Sequence, residues 1–537
     1  MEAGAGGRSL ARGAAAMTVA SAISRVTGFV RVVVVAAAMG TTFLANTYQT
    51  ANTAPNVIFE LVAAGVLTSV FVPTFVDYIV RDEREQGWHA ANVLGSVALA
   101  ALLGLALLLA LTAPLAMRLL TIGVEDPELR SQEIALGATF LRLFAPQVIF
   151  YGAGMIMTAA LHAHRRFGIG AVAPIFNNVV VIGVYLTYAA MRADRPPTVS
   201  GITGAETLVL GAGTTLGVVA MTVSLIPQLR RLGWRFRWRF YPAHPAVAKA
   251  ARLGVWALGY AGGYQAGLIV VLMLANRVEG GVAAYQWAYT FFYVPHALFA
   301  VPLANVLFPA MSEHVARREE DSFLARLREG LGMLAFILLP TAAFLVMAAE
   351  PVARLTLQYG AMTREGAELV GRVLAAFAVG LPTYSAFLTL TRSHYALGDT
   401  RSPALVNAAA IAVASASGVG LFMSLPPEWR VPGLALGHSI GFALGTVALS
   451  RLLSSRFGHV GTTSLTAALV RSLGATLPTV AVMALVRALV PDAGRAEALV
   501  AVATTAASGA LVYLGVMKLS GSQEMARITA LVTRARA

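Results

Sequence analysis

Apolar residues run through this chain in windows of about 20 residues or more, each closed by a short polar loop. The windows fall near 14–39, 46–80, 91–117, 134–161, 169–191, 204–229, 250–276, 282–312, 329–349, 366–396, 403–425, 432–453, 464–490 and 497–518. Each is long enough to span a bilayer as a helix, which makes about fourteen spans. Strands of a membrane β-barrel would instead alternate apolar and polar positions in runs of about ten. The pattern therefore predicts an all-α polytopic membrane protein. Composition agrees: 57% of residues are hydrophobic and 12% charged, with a mean hydropathy of +0.71, where a soluble domain carries roughly a quarter charged residues.

Charge changes the picture by setting orientation. An even span count leaves both ends on one side. The N-terminus, the loops after even-numbered spans and the C-terminus hold most of the 40 Lys and Arg. Both termini are therefore expected in the cytoplasm. The start "MEAGAGGRSLARGAAAMTVASAISR" is basic but offers no small-residue cleavage site, so no cleaved signal peptide is expected. The formal charge of +14 raises nucleic acid as a partner; in a membrane chain it serves topology and attraction to anionic lipid headgroups instead. The densest cluster, "RRLGWRFRWRFYPAHPAVAKAAR" at 230–252, interleaves Arg with aromatics and follows directly on a span. That composition predicts a segment anchored in the headgroup region.

A repeat is visible. "LTSVFVPTFVDY" at 67–78 and "LANVLFPAMSEH" at 303–314 align Pro73 with Pro309 and Asp77 with Glu313, at an offset of 236. "FAPQ" and "APIFN" find counterparts in "FAVG" and "PALVN" at nearly the same offset. Six intervening spans preserve orientation, so the copies are parallel and a substrate path is expected at their interface. The expected organisation is an N-terminal six-helix lobe over 1–229, a basic linker over 230–249, a second lobe over 250–456, and two further helices with a tail over 457–537. Pro55, Pro73, Pro146, Pro295, Pro302, Pro309, Pro340 and Pro382 fall in or near spans and are expected to bend them.

Two arginines, Arg25 and Arg31, sit inside the first span. A mid-span arginine costs roughly 2.5–3.5 kcal/mol on insertion scales, so two in one helix call for water, a counter-ion or a ligand. Six residues apart, they differ by about 9 Å in height and about 120° around the axis. Ser24, Gly28 and Arg31 share one face, and Gly28 admits a close neighbour. An ion pair with Glu60, Asp77 or Glu206 would neutralise them internally. An acidic ligand would use the guanidinium fork, which stays charged and grips phosphate in a bidentate way. Span two carries a polar face of Asn46, Gln49 or Thr50, Thr53 and Asn56, with Asn52 and Gln265 among further polar groups near spans. Such groups also hydrogen-bond helices together without other function. Arg25, Arg31, Asn46, Asn52, Asn56 and Gln265 are the candidate substrate contacts, and Asp77, Glu313 and Arg142 the candidate gate residues.

Enzymatic chemistry finds no foothold. There is no phosphate loop and no His-Glu-x-x-His. "HAHRR" at 162–166 lacks neighbouring carboxylates, and zero cysteines exclude disulfides and thiolate metal sites. Neither a metal site nor a cofactor is expected. With no nucleotide site, transport is facilitated or driven by the membrane potential or an ion gradient, such as one of a monovalent cation.

"SRVTGFVR" (24–31), "PN" (55–56) with "AAGVLTSVFVPTF" (63–75), "HRRFGIGAVAP" (164–174), "FAVPLANVLFP" (299–309), "LQYGAMTREG" (357–366) and "YALGDTRSPALVN" (395–407) resemble, in order, blocks of the MurJ/MviN lipid II flippases of the MOP exporter superfamily. The resemblance implies two six-helix lobes around a central cationic cavity, working by alternating access, plus two terminal helices forming a groove for a prenyl tail. It implies transfer of undecaprenyl-pyrophosphoryl disaccharide pentapeptide, lipid II, to the outer leaflet for peptidoglycan synthesis. Arg25 and Arg31 occupy the family's essential first-helix positions. The chain departs from the family's pattern at Asn46, where relatives carry Asp, and at Phe59, where they carry a basic residue. It departs again at Ala64-Gly65, in place of Glu-Gly, and near Tyr289-Thr290, in place of Asp-Arg. Two alternatives stay open at this point: a related exporter of another polyprenyl-linked glycan or amphipathic molecule, and a non-transporting paralogue that scaffolds cell-wall synthesis proteins.

Overall fold

The computed structural model describes residues 2–62, 84–164, 166–458, 463–490 and 494–526. Among them all regular structure is helical. Eleven segments are long and apolar enough to cross a membrane, or twelve if one bent pair counts as a single span. Two of the expected spans are incomplete in this description. The one at 46–80 runs into residues 63–83, outside the described residues, and with it go Pro73, Asp77 and the first copy of the repeat motif. The one at 250–276 contributes a shorter apolar stretch, Gly262–Ala275.

The described residues form two compact units. Unit 1 comprises Met1–Val282 and the turn Tyr359–Met362. Its helices are α1 (Glu2–Met39), α2 (Phe43–Val62), α3 (Arg84–Leu111), α4 (Ala113–Leu120), α5 (Pro127–Phe144), α6 (Gln147–Ala163), α7 (Phe167–Arg192), α8 (Gly204–Val223), α9 (Ile226–Arg231) and α10 (Pro245–Ala275). α1 packs along α7, α2 along α5, and α3 along α6. On α3, Leu103, Leu107 and Leu111 are exposed at a four-residue spacing, an apolar stripe that only lipid would cover. α10, which opens the second expected lobe, is held in unit 1 against α2, α3 and α4.

Unit 2 comprises Ala283–Gln358 and Thr363–Ala537. Its helices include α11 (Gly281–Pro295), α12 (Val301–Ala316), α13 (Glu320–Leu357), α14 (Arg364–Val379), α15 (Leu381–Ala396), α16 (Arg401–Ser424) and α17 (Arg430–Phe457). Two more, α18 (Thr463–Leu489) and α19 (Arg495–Leu519), pack on each other and on α13. α16 and α17 approach closely through Gly418, Gly437 and Gly441: a Cβ on Gly437 would lie 2.5 Å from Gly418 and one on Gly441 2.3 Å from the Ala410 carbonyl. Small residues serve such close crossings in lipid, where packing replaces the hydrophobic drive.

The prolines divide by context. Pro55, Pro309 and Pro340 lie inside continuous helices. Pro382, at the start of α15, follows a 45° bend between α14 and α15. Pro302 follows a π turn at His296–Ala300, where the extra residue absorbs the hydrogen bond that proline cannot donate.

The turn between α15 and α16 explains the "YALGDTRSP" block. Asp399 accepts from the Ser402 N–H at 2.9 Å and lies 3.1 Å from His394 Nδ1. Burial raises its carboxyl, but the Ser402 backbone and side chain and His394 together outweigh that and hold it below the usual carboxylate range. A depressed carboxyl stabilises the fold above its unfolded value, near 3.9, and loses that contribution as pH falls through the folded value. Asp399→Ala is expected to cost about 1 kcal/mol, as other lost helix caps do. A lower melting temperature in detergent would register it, and the gap to wild type should persist from pH 7 to about 4 and close below.

Candidate functional site

α1 is fixed in rotation by α7. Asn178 donates to the Ser24 carbonyl at 3.2 Å and to Thr27 Oγ1 at 3.0 Å, and Thr27 in turn donates to the Ser24 carbonyl. A Cβ on Gly28 would lie 3.6 Å from Asn178 Nδ2, so this is the neighbour that the glycine admits. With Ser24, Thr27 and Gly28 toward α7, the two arginines part company. Arg25 is exposed on the surface of unit 1 and Arg31 is half-buried. The Arg31 guanidinium acts electrostatically on the hydroxyls of Tyr48, Tyr151 and Tyr185, on α2, α6 and α7.

Those tyrosines form an organised wall. Tyr48 Oη lies 3.1 Å from Tyr185 Oη and 2.6 Å from Thr214 Oγ1, and its ring packs edge-on against Phe140 and Phe144. Tyr151 packs on Phe59 with ring centroids 5.0 Å apart. Of the carboxylates considered as counter-ions, Glu206 pairs with Arg195 and closes a capping box with Thr203. Glu60 accepts a hydrogen bond from Gln265. Among the described residues no carboxylate pairs with Arg25 or Arg31. The arrangement is a half-buried cation within electrostatic reach of tyrosine hydroxyls, and its guanidinium suits a phosphate-type anion.

The polar face of α2 splits along its length. Asn46 is fully buried, donates to the Val278 carbonyl at 2.8 Å and accepts from the Val282 N–H at 3.0 Å. Thr50 and Asn276 exchange hydrogen bonds at 3.1 and 3.2 Å. These groups tie α2 to the turn that follows α10. Further along, Asn56 donates to the Asn52 carbonyl at 3.0 Å. Asn52 Oδ1 and Gln265 Oε1 are buried acceptors with no donor among the described residues. Of the candidate gate residues, Asp77 lies outside the described residues. Glu313 pairs with Arg317 one turn along, both side chains about 60% exposed, a surface pair worth about 0–1 kcal/mol. Arg142 is exposed on α5.

Some groups escaped the sequence reading. Glu133 on α5 is fully buried, within 3.2 Å of Thr47 Oγ1, and its Oε2 has no partner among the described residues. Its signal was the face it shares with Gly137, Phe140 and Phe144, all buried. In unit 2, His296 and His438 join Tyr289, Phe292, Phe377 and Tyr384 in one aromatic cluster, with His296 Nδ1 3.0 Å from Ser385 Oγ. The Tyr289-Thr290 departure from the family falls in this cluster. Around the "HAHRR" stretch, His164 stacks on Trp88 at 5.1 Å, and among the described residues no three His, Cys, Asp or Glu gather as a metal site would require.

A family model described as Lipid II flippase MurJ matches residues 35–503, opening just after the two arginines. The protein of Rhizobium tropici named "Probable lipid II flippase MurJ" is 28% identical over 439 residues, covering 81% of this chain and 79% of its own length. A solved structure titled "Lipid II flippase MurJ, inward closed conformation" shares the fold at a TM-score of 0.72 and 20% identity, over 94% of this chain and 98% of its own. An inward-facing multidrug resistance MATE family transporter of the MOP superfamily does so at 0.63 and 13% identity, over 83% and 95%. With the family match extending over most of its length, the chain belongs to the lipid II flippase MurJ family.

Proposed function

We propose that this chain flips lipid II from the inner to the outer leaflet of the cytoplasmic membrane by alternating access, as a transporter and not a catalyst. The observation that carries the reading is Arg31, half-buried, within electrostatic reach of three tyrosine hydroxyls and without a carboxylate partner among the described residues, on the same helix as Arg25. A pyrophosphate supplies the charge this site lacks. Both termini lie in the cytoplasm, on the Lys/Arg distribution. The membrane potential or a monovalent cation gradient supplies the driving force; the buried, half-satisfied Glu133 carboxylate is the observation in favour of a cation.

The test is a leaflet-accessibility assay. Depletion of this protein is expected to remove lipid II from the outer leaflet while total lipid II rises; unchanged outer-leaflet lipid II would end the proposal. A second reading, export of another polyprenyl-linked glycan, rests on the uncharged aromatic cluster at Tyr289. It requires the purified protein to bind other polyprenyl pyrophosphates at least as well as lipid II.

A further inference from the structure

The basic-aromatic segment after α9 is clamped to the body of unit 1. α9 ends at Gly233, with φ +86°, and the Trp234 N–H donates to the Leu229 carbonyl at 3.1 Å, the closing bond of a helix that stops on a left-handed glycine. Beyond it the chain runs extended along α3. Asn92 Oδ1 accepts from Trp234 Nε1 at 3.1 Å and from the Arg237 N–H at 3.2 Å. One turn further along α3, Ser96 Oγ accepts from the Arg239 N–H at 2.8 Å. Asn92, Ser96 and Trp234 are buried, and Trp234 stacks on Trp88 with centroids 5.8 Å apart. Phe236, Trp238 and Phe240 remain exposed, alternating with Arg235, Arg237 and Arg239.

Under this strap lies a cavity of about 660 Å³ between α3, α6 and α9. Its walls are apolar, with Leu99, Ile156, Met157 and Ile226 among them. Its lining also holds two aromatics, Trp234 and Phe236, and two cations, Arg230 and Arg235. Among the described residues neither cation has an ion-pair partner. The volume falls within the range of about 300–1,000 Å³ that small-molecule sites occupy. A water-soluble anion would satisfy the arginines and leave the walls unmatched; an uncharged chain would do the reverse. Only an amphipathic anion satisfies both, and the aromatics beside the mouth are those that settle at headgroup depth.

We infer that this cavity is a binding site for an anionic glycerophospholipid, with one acyl chain between α3, α6 and α9 and the phosphate on Arg230 and Arg235. The site is separate from the Arg25–Arg31 helix, and the inference stands whatever α1 binds. Its bound lipid completes the seat of the strap that joins α9 to α10.

The experiment uses the detergent-purified full chain, delipidated and titrated with dioleoylphosphatidylglycerol, followed by native mass spectrometry and by tryptophan quenching with the brominated-chain form. One phosphatidylglycerol should be retained in preference to phosphatidylcholine of the same chains. Arg230→Gln with Arg235→Gln should weaken retention at least tenfold. Arg451→Gln with Arg456→Gln, which removes two exposed charges from the end of α17, should leave it unchanged. Ala153→Phe keeps both arginines and fills the cavity from its wall, so it should abolish the quenching while the melting temperature reports an intact fold. Equal retention of phosphatidylcholine, wild-type affinity in the Arg230/Arg235 variant, an equal loss in the Arg451/Arg456 control, or full quenching in Ala153→Phe would each overturn the site. So would preference for undecaprenyl phosphate over phosphatidylglycerol, which would make the cavity a prenyl-tail site.

Discussion

Replacing Arg25 and Arg31 together with alanine is expected to abolish rescue of a flippase-depleted strain while the protein remains in the membrane at normal levels. A hydrogen bond to a charged group contributes about 1.5–3 kcal/mol. Losing two such contacts weakens a pyrophosphate by two to four orders of magnitude at about 1.4 kcal/mol per tenfold. The single variants should differ in kind. Arg31 is half-buried and Arg25 exposed, and a half-buried charge is screened less, so Arg31→Ala should do more damage than Arg25→Ala. Arg31→Lys keeps the charge and loses the planar fork, and should rescue growth only in part. No ion pair is broken among the described residues, so the fold should be indifferent to these changes and the melting temperature should hold. Normal growth of the double variant at normal expression would exclude the arginines from transport.

How much of this was legible depends on how local each feature is. The two arginines stood out because a charge inside an apolar window has no ordinary use, and the helical period fixed their separation of about 120°. The structure sharpened that into a division of labour, because Asn178 sets the rotation of α1 and leaves Arg25 on the surface and Arg31 inside. The polar face of α2 was legible as a face, but its two uses were not, since the turn that engages Asn46 lies more than two hundred residues away. Glu133 ends the charged stretch "PELRSQE", just outside the apolar window at 134–161. The strap at 230–239 was visible as interfacial from composition; its clamps, Asn92 and Ser96, looked like the polar beginning of a span. His296 and His438 carry no shared motif and are joined in unit 2 through Tyr384 of α15, which packs on both rings.

The least legible feature carries the second large effect. Three turns far apart in the chain interlock at one end of unit 1, each built on a glycine at positive φ: Gly40 (+61°), Gly280 (+68°) and Gly360 (+55°). The contact between the first and last is reciprocal. A Cβ on Gly40 would lie 2.4 Å from the Ala361 carbonyl oxygen, and one on Gly360 2.4 Å from the Ala37 carbonyl oxygen, while the Ala361 N–H donates to that same Ala37 oxygen at 2.8 Å. Both obstacles are backbone, which cannot swing aside as a side chain would. Gly360→Val therefore meets a conformational penalty of about 1–2 kcal/mol for a left-handed residue, the clash, and the loss of the Ala361–Ala37 bond. Their sum should release the Tyr359–Met362 turn from unit 1. The chain has no cysteine, so Met362→Cys, at a position 4% exposed, is a clean reporter. It should react slowly with a membrane-impermeant maleimide in the otherwise wild-type chain. Adding Gly360→Val should speed it at least tenfold, since each 1.4 kcal/mol shifts the released population by that factor. Gly360→Ala should fall between. An unchanged labelling rate in the valine variant would mean that the turn is held by contacts other than the interlock.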